Sequence, residues 1–477
     1  MPDRALIRAE WHKLRSVPRW VIGLVGAVVI TVGFSLLIAQ SSGADFGGET
    51  VTTGPHGGPV MDDFHFVHQP MTGDGTMTVR VLSQTGVNES GEATDPQPWA
   101  KAGVMIKEST TAGSEYAAVL ATPEHGVRLQ SNFTTDIAGT DTDAAWLRLV
   151  RDGSTITGFE SADGLSWDEI GSVALDNLSG TVEAGFFVAS PPEVRVERRA
   201  GSTGVGHLTT LGIATFDNVA LDAGQLRDWM SDEIGHGFSR GPAEETDGVF
   251  TVSGSGDIAD NPPDDDVVQL SLTGALFGSL AVIAVCVLFV TAEYRRGMIR
   301  TTLAATPRRG RVLAAKALVA GGVTFAVGLV GCFGAFFLAY PLLRENGFAP
   351  PYMPEPSLSD PNVLRAIIGS AALLAVVAVL SVAVGAIVRR SAAAIALVTA
   401  LFFLPALLGL SLPPEPAEWL VRLTPASGLA IQRSLAPTEA LIEPWSMIQP
   451  WFGFAVLCAY AAAALLAARW VLQRRDA

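Results

Sequence analysis

Six long apolar stretches and one acidic insertion read as an α-helical membrane protein of six transmembrane helices with an inserted all-β extracellular domain. Of the 477 residues, 49% are apolar and only 17% are charged, against roughly 25% charged in an ordinary soluble domain. Charge is also segregated. Residues 41–266 hold 36 Asp and Glu but 11 Lys and Arg, and the rest of the chain carries a net charge of +10. An acidic block inside a basic, apolar remainder fits one large outward domain, because Lys and Arg accumulate on the cytoplasmic side. No basic patch supports a nucleic-acid partner. The four lysines, Lys13, Lys101, Lys107 and Lys316, never follow a glycine, so this chain has no phosphate-binding Gly-Lys-Ser/Thr loop and no ATPase chemistry of its own.

Residues 1–19 come first, as a cytoplasmic amphipathic helix. In Leu6-Ile-Arg-Ala-Glu-Trp-His-Lys-Leu-Arg15, Leu6, Trp11 and Leu14 are placed to face lipid while Arg8, Lys13 and Arg15 meet head groups. Spans follow at 20–39, 267–292, 317–343, 366–388, 391–412 and 451–468, each near the roughly 20 apolar residues that a bilayer requires. None contains a charged side chain, which argues against a buried proton relay. A cleaved leader at 20–39 is the weaker reading, since its 20 apolar residues exceed the roughly 7–15 of a signal core. Arginines before the first span, after the second, at Arg389 and Arg390, and in the tail 469–477 put both termini in the cytoplasm and the acidic block outside the cell membrane. Pro405 is expected to kink the fifth span. Loops 344–365 and 413–450 are Pro-rich outer connections.

The block 41–266, with a core at about 60–222, alternates apolar and polar residues over short segments: 76–81, 102–106, 116–120, 126–130, 146–150, 155–159, 182–188 and 214–219. Turn signals such as Arg151-Asp152-Gly153 and Ala162-Asp163-Gly164 separate them. That is the pattern of an antiparallel β-sandwich, and residues 248–254 add a further strand. All three cysteines lie in apolar runs, so the block folds without disulfides. His65 and His68 differ by an odd number, face opposite sides of a strand and share no metal; no metal site is expected. The run Asp264, Asp265 and Asp266 has the oxygen ligands of calcium but reads first as a solvated linker. Trp146 and Trp167 are the candidate carbohydrate contacts, weighed against an ordinary packing role. The segments Trp99-Ala-Lys-Ala-Gly-Val-Met-Ile-Lys-Glu108, Trp146-Leu-Arg-Leu-Val-Arg-Asp-Gly153, Asp163-Gly-Leu-Ser-Trp167 and Phe216-Asp-Asn-Val219 resemble concanavalin A-like (laminin-G-like) modules of bacterial secreted proteins. The resemblance implies a jelly-roll sandwich and permits binding of a carbohydrate or cell-wall polymer. It carries no catalytic carboxylate pair over.

The stretch 293–316 is the most informative. It is short and basic, with Glu293, Arg295, Arg296, Gly297, Pro307 and Lys316; Gly297 permits a tight turn and Pro307 suits a helix start. The register of Glu293, Gly297, Pro307 and Lys316, with the N-terminal segment, resembles type-2 ATP-binding-cassette (ABC) permeases. That family carries the coupling helix here. The resemblance implies an exporter membrane subunit whose partners are a separately encoded ABC-type ATPase, a second permease copy or paralogue, and the lipid bilayer. ATP and Mg belong to the ATPase; no cofactor is expected in this chain. The alternative is a membrane-anchored surface receptor that binds a wall polymer through the sandwich.

Overall fold

A computed structural model describes residues 4–43, 51–88, 91–140, 145–199, 202–223, 228–261, 265–295, 298, 308–351, 353–435, 445 and 447–474. The chain forms two compact units, one of Met1–Gly47, Val196–Val205 and Asp264–Ala477, the other of Gly48–Arg195 and Gly206–Pro263.

In the helical unit, α1 (Arg4–Ser16) leads into α2 (Pro18–Ser41). After the acidic block come the short α3 (Val267–Leu272), α4 (Gly274–Arg295), α5 (Arg309–Glu345), α6 (Pro361–Val388) and α7 (Ser391–Gly409). Then follow α8 (Pro414–Arg422), a 3-10 helix (Pro425–Gln432) and α9 (Pro450–Arg474). Among the described residues six segments are long and apolar enough to cross a membrane: Pro18–Ser41, Val267–Tyr294, Arg309–Glu345, Pro361–Val388, Ser391–Gly409 and Pro450–Arg474. They coincide with the six expected spans, although the fifth ends at Gly409, short of residue 412, with Pro405 inside the helix. Helix α2 crosses α4 closely because Gly274 and Gly278, one turn apart, face Thr31 and Ser35. A Cβ on Gly274 would lie 1.9 Å from the Thr31 carbonyl, and the Gly274 N–H donates to Ser35 Oγ at 3.1 Å. Small residues bring backbones together here, as in membrane helix pairs.

Two expectations are corrected. The connection 413–450 is not simply an outer loop: residues 425–432 are buried, and Gln432 Nε2 donates to the Leu272 carbonyl at 3.1 Å. Asp266 is not a solvated linker residue. It is 5% exposed and caps α3 by accepting from the Val268 and Gln269 N–H groups at 3.0 and 3.1 Å. It also accepts from Ser434 Oγ at 2.9 Å and the Leu435 N–H at 2.9 Å. A carboxylate at a helix N-terminus satisfies otherwise unpaired amides. Asp264 lies outside the described residues.

The second unit holds two large antiparallel sheets, besides the short pair Val60–Asp62 and Ile258–Asp260. One runs, in order, Asp168–Ala174, Thr155–Ser161, Trp146–Asp152, Gly75–Val87, Leu211–Asp222, Val249–Gly254 and Glu244–Thr246, with Ala93–Thr94 beside Gly75–Val87. The other runs Met230–Ile234, Phe64–Thr72, Thr181–Ala189, Lys101–Lys107, Tyr116–Thr122, Gly126–Ser131 and Thr135–Ala138. Val79, Leu147, Ile156 and Phe216 of the first meet Val104, Val119, Val182 and Phe186 of the second in one core, so the sheets form a sandwich. Every expected strand is present, and Val249–Gly254 joins the first sheet. The strict in-and-out alternation fails in the second sheet, where Lys101–Lys107 is buried at every position. Its other face is covered as well, by a second cluster that includes Val60, Phe64, Phe66, Met105, Tyr116, Phe133 and Phe187.

Candidate functional site

Four charged side chains from three helices meet inside the helical unit. Helix α1 places Glu10 and Lys13 one turn apart on one face, held there because Leu14 on the same helix packs into the apolar core at 6% exposure. Helix α4 delivers Glu293 near its end, and α5 delivers Lys316 from its second turn. Lys316 Nζ donates to Glu10 Oε2 at 2.7 Å and to Glu293 Oε1 at 2.6 Å. Lys13 Nζ donates to Glu10 Oε1 at 2.8 Å and to Glu293 Oε1 at 3.1 Å. Two carboxylates and two ammonium groups thus alternate, and charge balances locally.

The cluster is dry on one side and wet on the other. The Lys316, Glu10 and Glu293 side chains are 3%, 2% and 7% exposed, whereas Lys13 is 41% exposed. Lys316 Nζ also stands 5.0 Å from the centre of the Phe289 ring, a cation–π approach. Burial pulls the Lys13 pKa down, but the Glu10 and Glu293 carboxylates outweigh it and raise it above the ordinary lysine value. Glu293 Oε2 is buried with no hydrogen-bond partner among the described residues. Breaking such a buried set by removing one member is costly, since the remaining charges keep their desolvation penalty.

Of the residues singled out in 293–316, the structure brings Glu293 and Lys316 together, 2.6 Å apart. Arg295 ends α4. Arg296, Gly297 and Pro307 lie outside the described residues. The segment is shorter than its sequence span, because α4 runs to Arg295 and α5 starts at Arg309. Leu14 packs into the core, and Lys13, still 41% exposed, joins the ion-pair cluster, contacts that the amphipathic pattern does not signal. Glu10 escaped the sequence reading altogether. The signal was there, since it is the lone acidic residue in 4–19 among five arginines and lysines, one turn before Leu14.

In the β unit, Trp146 and Trp167 are half-buried and engaged by protein groups. The Arg80 guanidinium stands 5.4 Å from the Trp146 ring centre, and Gly164 packs against that ring. Arg148 stacks 3.6 Å from the Trp167 ring centre. Arg80 in turn forms an ion pair with Asp217. His65 and His68 do face opposite ways. His65 lies 2.6 Å from the Ser253 carbonyl and 2.7 Å from Ser231 Oγ. His68 sits between Glu183 and Asp232 at 2.7 and 3.0 Å. Among the described residues no group of three His, Cys, Asp or Glu is placed to hold a metal.

No family model matches the chain, and no curated protein matches it. Among solved structures the chain is similar to a functionally unknown protein from Saccharomyces cerevisiae, at 16% identity over 34% of this chain and 76% of that one, with a TM-score of 0.22. It is also similar to SCP-B, a member of the eqolisin family of peptidases solved with the tripeptide Ala-Ile-His. There the identity is 10% over 41% of this chain and 98% of that one, with a TM-score of 0.24. Likenesses this slight carry no argument about activity.

Proposed function

We propose that the chain is the membrane-spanning permease subunit of an ATP-driven exporter of the type-2 ABC class. It works with a separately encoded ATPase and a second permease copy or paralogue, with both termini in the cytoplasm and the β unit outside. The observation that carries this reading is the convergence of Glu10, Lys13, Glu293 and Lys316. Glu293 and Lys316 flank the basic segment 296–308, and the cluster ties both flanks to α1 through contacts of 2.6–3.1 Å. A load applied to that segment reaches α4 and α5 together instead of bending one against the other. The ATPase supplies ATP hydrolysis and Mg; this chain supplies the lever and the path. Six apolar helices support the membrane reading, and the arginine distribution supports the sidedness. The paired sheets support a concanavalin A-like module for the outer unit.

The test is a mild-detergent pull-down of the chain from its native membrane, with mass spectrometry and an ATPase assay on the eluate. A cassette ATPase co-purifies, and the Gly297→Pro and Lys316→Met variants insert normally but uncouple hydrolysis from transport. Failure to recover an ATPase in several detergents sinks the permease reading and makes the wall-polymer receptor the better account.

A further inference from the structure

A groove on the helical unit, about 500 Å³ in volume, is lined by Trp11, Leu14 and Arg15 of α1, by Val21, Leu24, Val25 and Val28 of α2, and by Val323, Val327 and Val330 of α5. Apart from Trp11 and Arg15, its lining is aliphatic. Val25 and Val330 are 56% and 66% exposed, so the groove opens sideways from the bundle. Polarity is confined to one end, where α1 contributes an indole and a guanidinium. Arg15 is exposed and makes no ion pair or hydrogen bond among the described residues, whereas its neighbour Lys13 is engaged by Glu10 and Glu293.

This arrangement suits a ligand with a long apolar tail and one anionic head. An apolar helix from another chain would bury the valines but supply no anion for Arg15. We propose that the groove holds one acyl chain of an anionic bilayer phospholipid, with the phosphate on Arg15 and the Trp11 indole beside the glycerol region. Tryptophan and arginine favour that depth for the usual reason: each has an apolar body and a polar tip. The bound lipid fills the wedge between α1, α2 and α5 and so steadies α1, which also carries Glu10 and Lys13. The proposal rests on the membrane reading above, and it does not require the ATPase.

The experiment uses the full chain purified alone, exchanged into bilayer discs of phosphatidylglycerol and phosphatidylcholine, with retained lipid counted by native mass spectrometry. Wild type retains phosphatidylglycerol preferentially. Arg15→Gln lowers that preference about fivefold, the worth of one basic residue at an anionic surface, and leaves the helix content unchanged. Val25→Trp, which fills the groove from an exposed position, lowers the number of retained lipids of both kinds. An unchanged preference in Arg15→Gln, or an unchanged lipid count in Val25→Trp, overturns the proposal. So does a Val25→Cys variant that crosslinks to a second copy in place of retaining lipid. Because no ATPase is present, none of these outcomes depends on the exporter reading.

Discussion

Lysines are buried in both units, and they are buried in different ways. In the β unit Lys107 and Asp62 form a closed pair at 2.7 Å with both side chains fully buried. The Gly113 N–H donates to the same Asp62 oxygen at 2.6 Å, and Lys107 Nζ also donates to the Ser114 carbonyl at 3.1 Å. In the helical unit Lys316 shares two carboxylates with a second, half-exposed lysine. The first arrangement has one solution: each charge has one counter-charge, and neither reaches water. The second is shared: each carboxylate meets both lysines, and Lys13 reaches water. A closed pair is suited to pinning a strand; a shared, one-sided cluster joins three helices at one point.

The largest expected effect breaks the closed pair. Burial pushes the Asp62 carboxyl up and the Lys107 ammonium down, so both ions are already held at a cost. Lys107→Met leaves Asp62 with no counter-charge and is expected to cost about 3–5 kcal/mol in urea unfolding of the β unit, followed on the full chain. Adding Asp62→Leu recovers most of that loss, since replacing both ions by apolar groups is often neutral. Recovery stays incomplete by about 1 kcal/mol because the Gly113 N–H loses its acceptor. If the single variant costs less than 1 kcal/mol, the pair is not what fixes Asp62.

Next comes Lys316→Met. Lys13 still neutralises part of Glu10 and Glu293, so the expected stability loss is smaller, about 1.5–3 kcal/mol, the range of a hydrogen bond to a charged group. If the permease proposal holds, the order of the two effects reverses for transport. Lys316→Met is expected to abolish coupled ATPase activity, and Lys107→Met is expected to spare it wherever the chain still folds. Equal stability losses at the two sites would erase the distinction between a closed and a shared cluster.

The elements that carry this contrast were visible in the residues; the ion pairs themselves were not. The six apolar runs located the helices because hydropathy over 20 residues overwhelms local propensity. Period-two alternation located the strands of the first sheet, where buried Leu147 and Leu149 alternate with Trp146, Arg148 and Val150. It could not show that the second sheet is covered on both faces, because the cover comes from distant segments around Val60 and Ile258. Lys101 and Lys107 are buried in that sheet, and no local pattern signals it. Glu293 and Lys316 were legible through their register, but their contact with Glu10 spans 306 residues between Lys316 and Glu10; only tertiary structure closes that distance. Asp266 misled for the opposite reason: three acids in a row look solvated, and one of them turned out to cap a helix.

A pH titration sharpens the comparison within the β unit. Burial pulls the His68 pKa down, but Glu183 and Asp232 outweigh it and raise it. The folded state therefore binds the proton more tightly than the unfolded chain. His68 contributes stability that is full below the ordinary value near 6.5 and is lost as pH rises through the raised folded value. His65 runs the other way. Burial lowers its pKa, so the fold favours neutral imidazole and loses stability as pH falls from the ordinary histidine range toward the lowered value. The midpoint of unfolding is expected to decline on both sides of a narrow optimum, and His68→Gln is expected to flatten the alkaline side alone. An unchanged alkaline slope in that variant would falsify the assignment.

The smallest effect separates packing from recognition on the first sheet. Arg148 lies 3.6 Å from the Trp167 ring centre and donates to Thr78 Oγ1 at 3.2 Å, so the ring already has a partner. Trp167→Leu and Arg148→Met are each expected to cost about 0.5–1 kcal/mol, the scale of an exposed cation–π pair, and the double variant to cost less than their sum because both remove the same contact. A saccharide site predicts something else. If Trp167 stacks on a sugar, Trp167→Leu abolishes retention on a glycan array while Arg148→Met, which uncovers the ring, retains or strengthens it. Coupled stability losses with no change in glycan retention assign the tryptophan to packing.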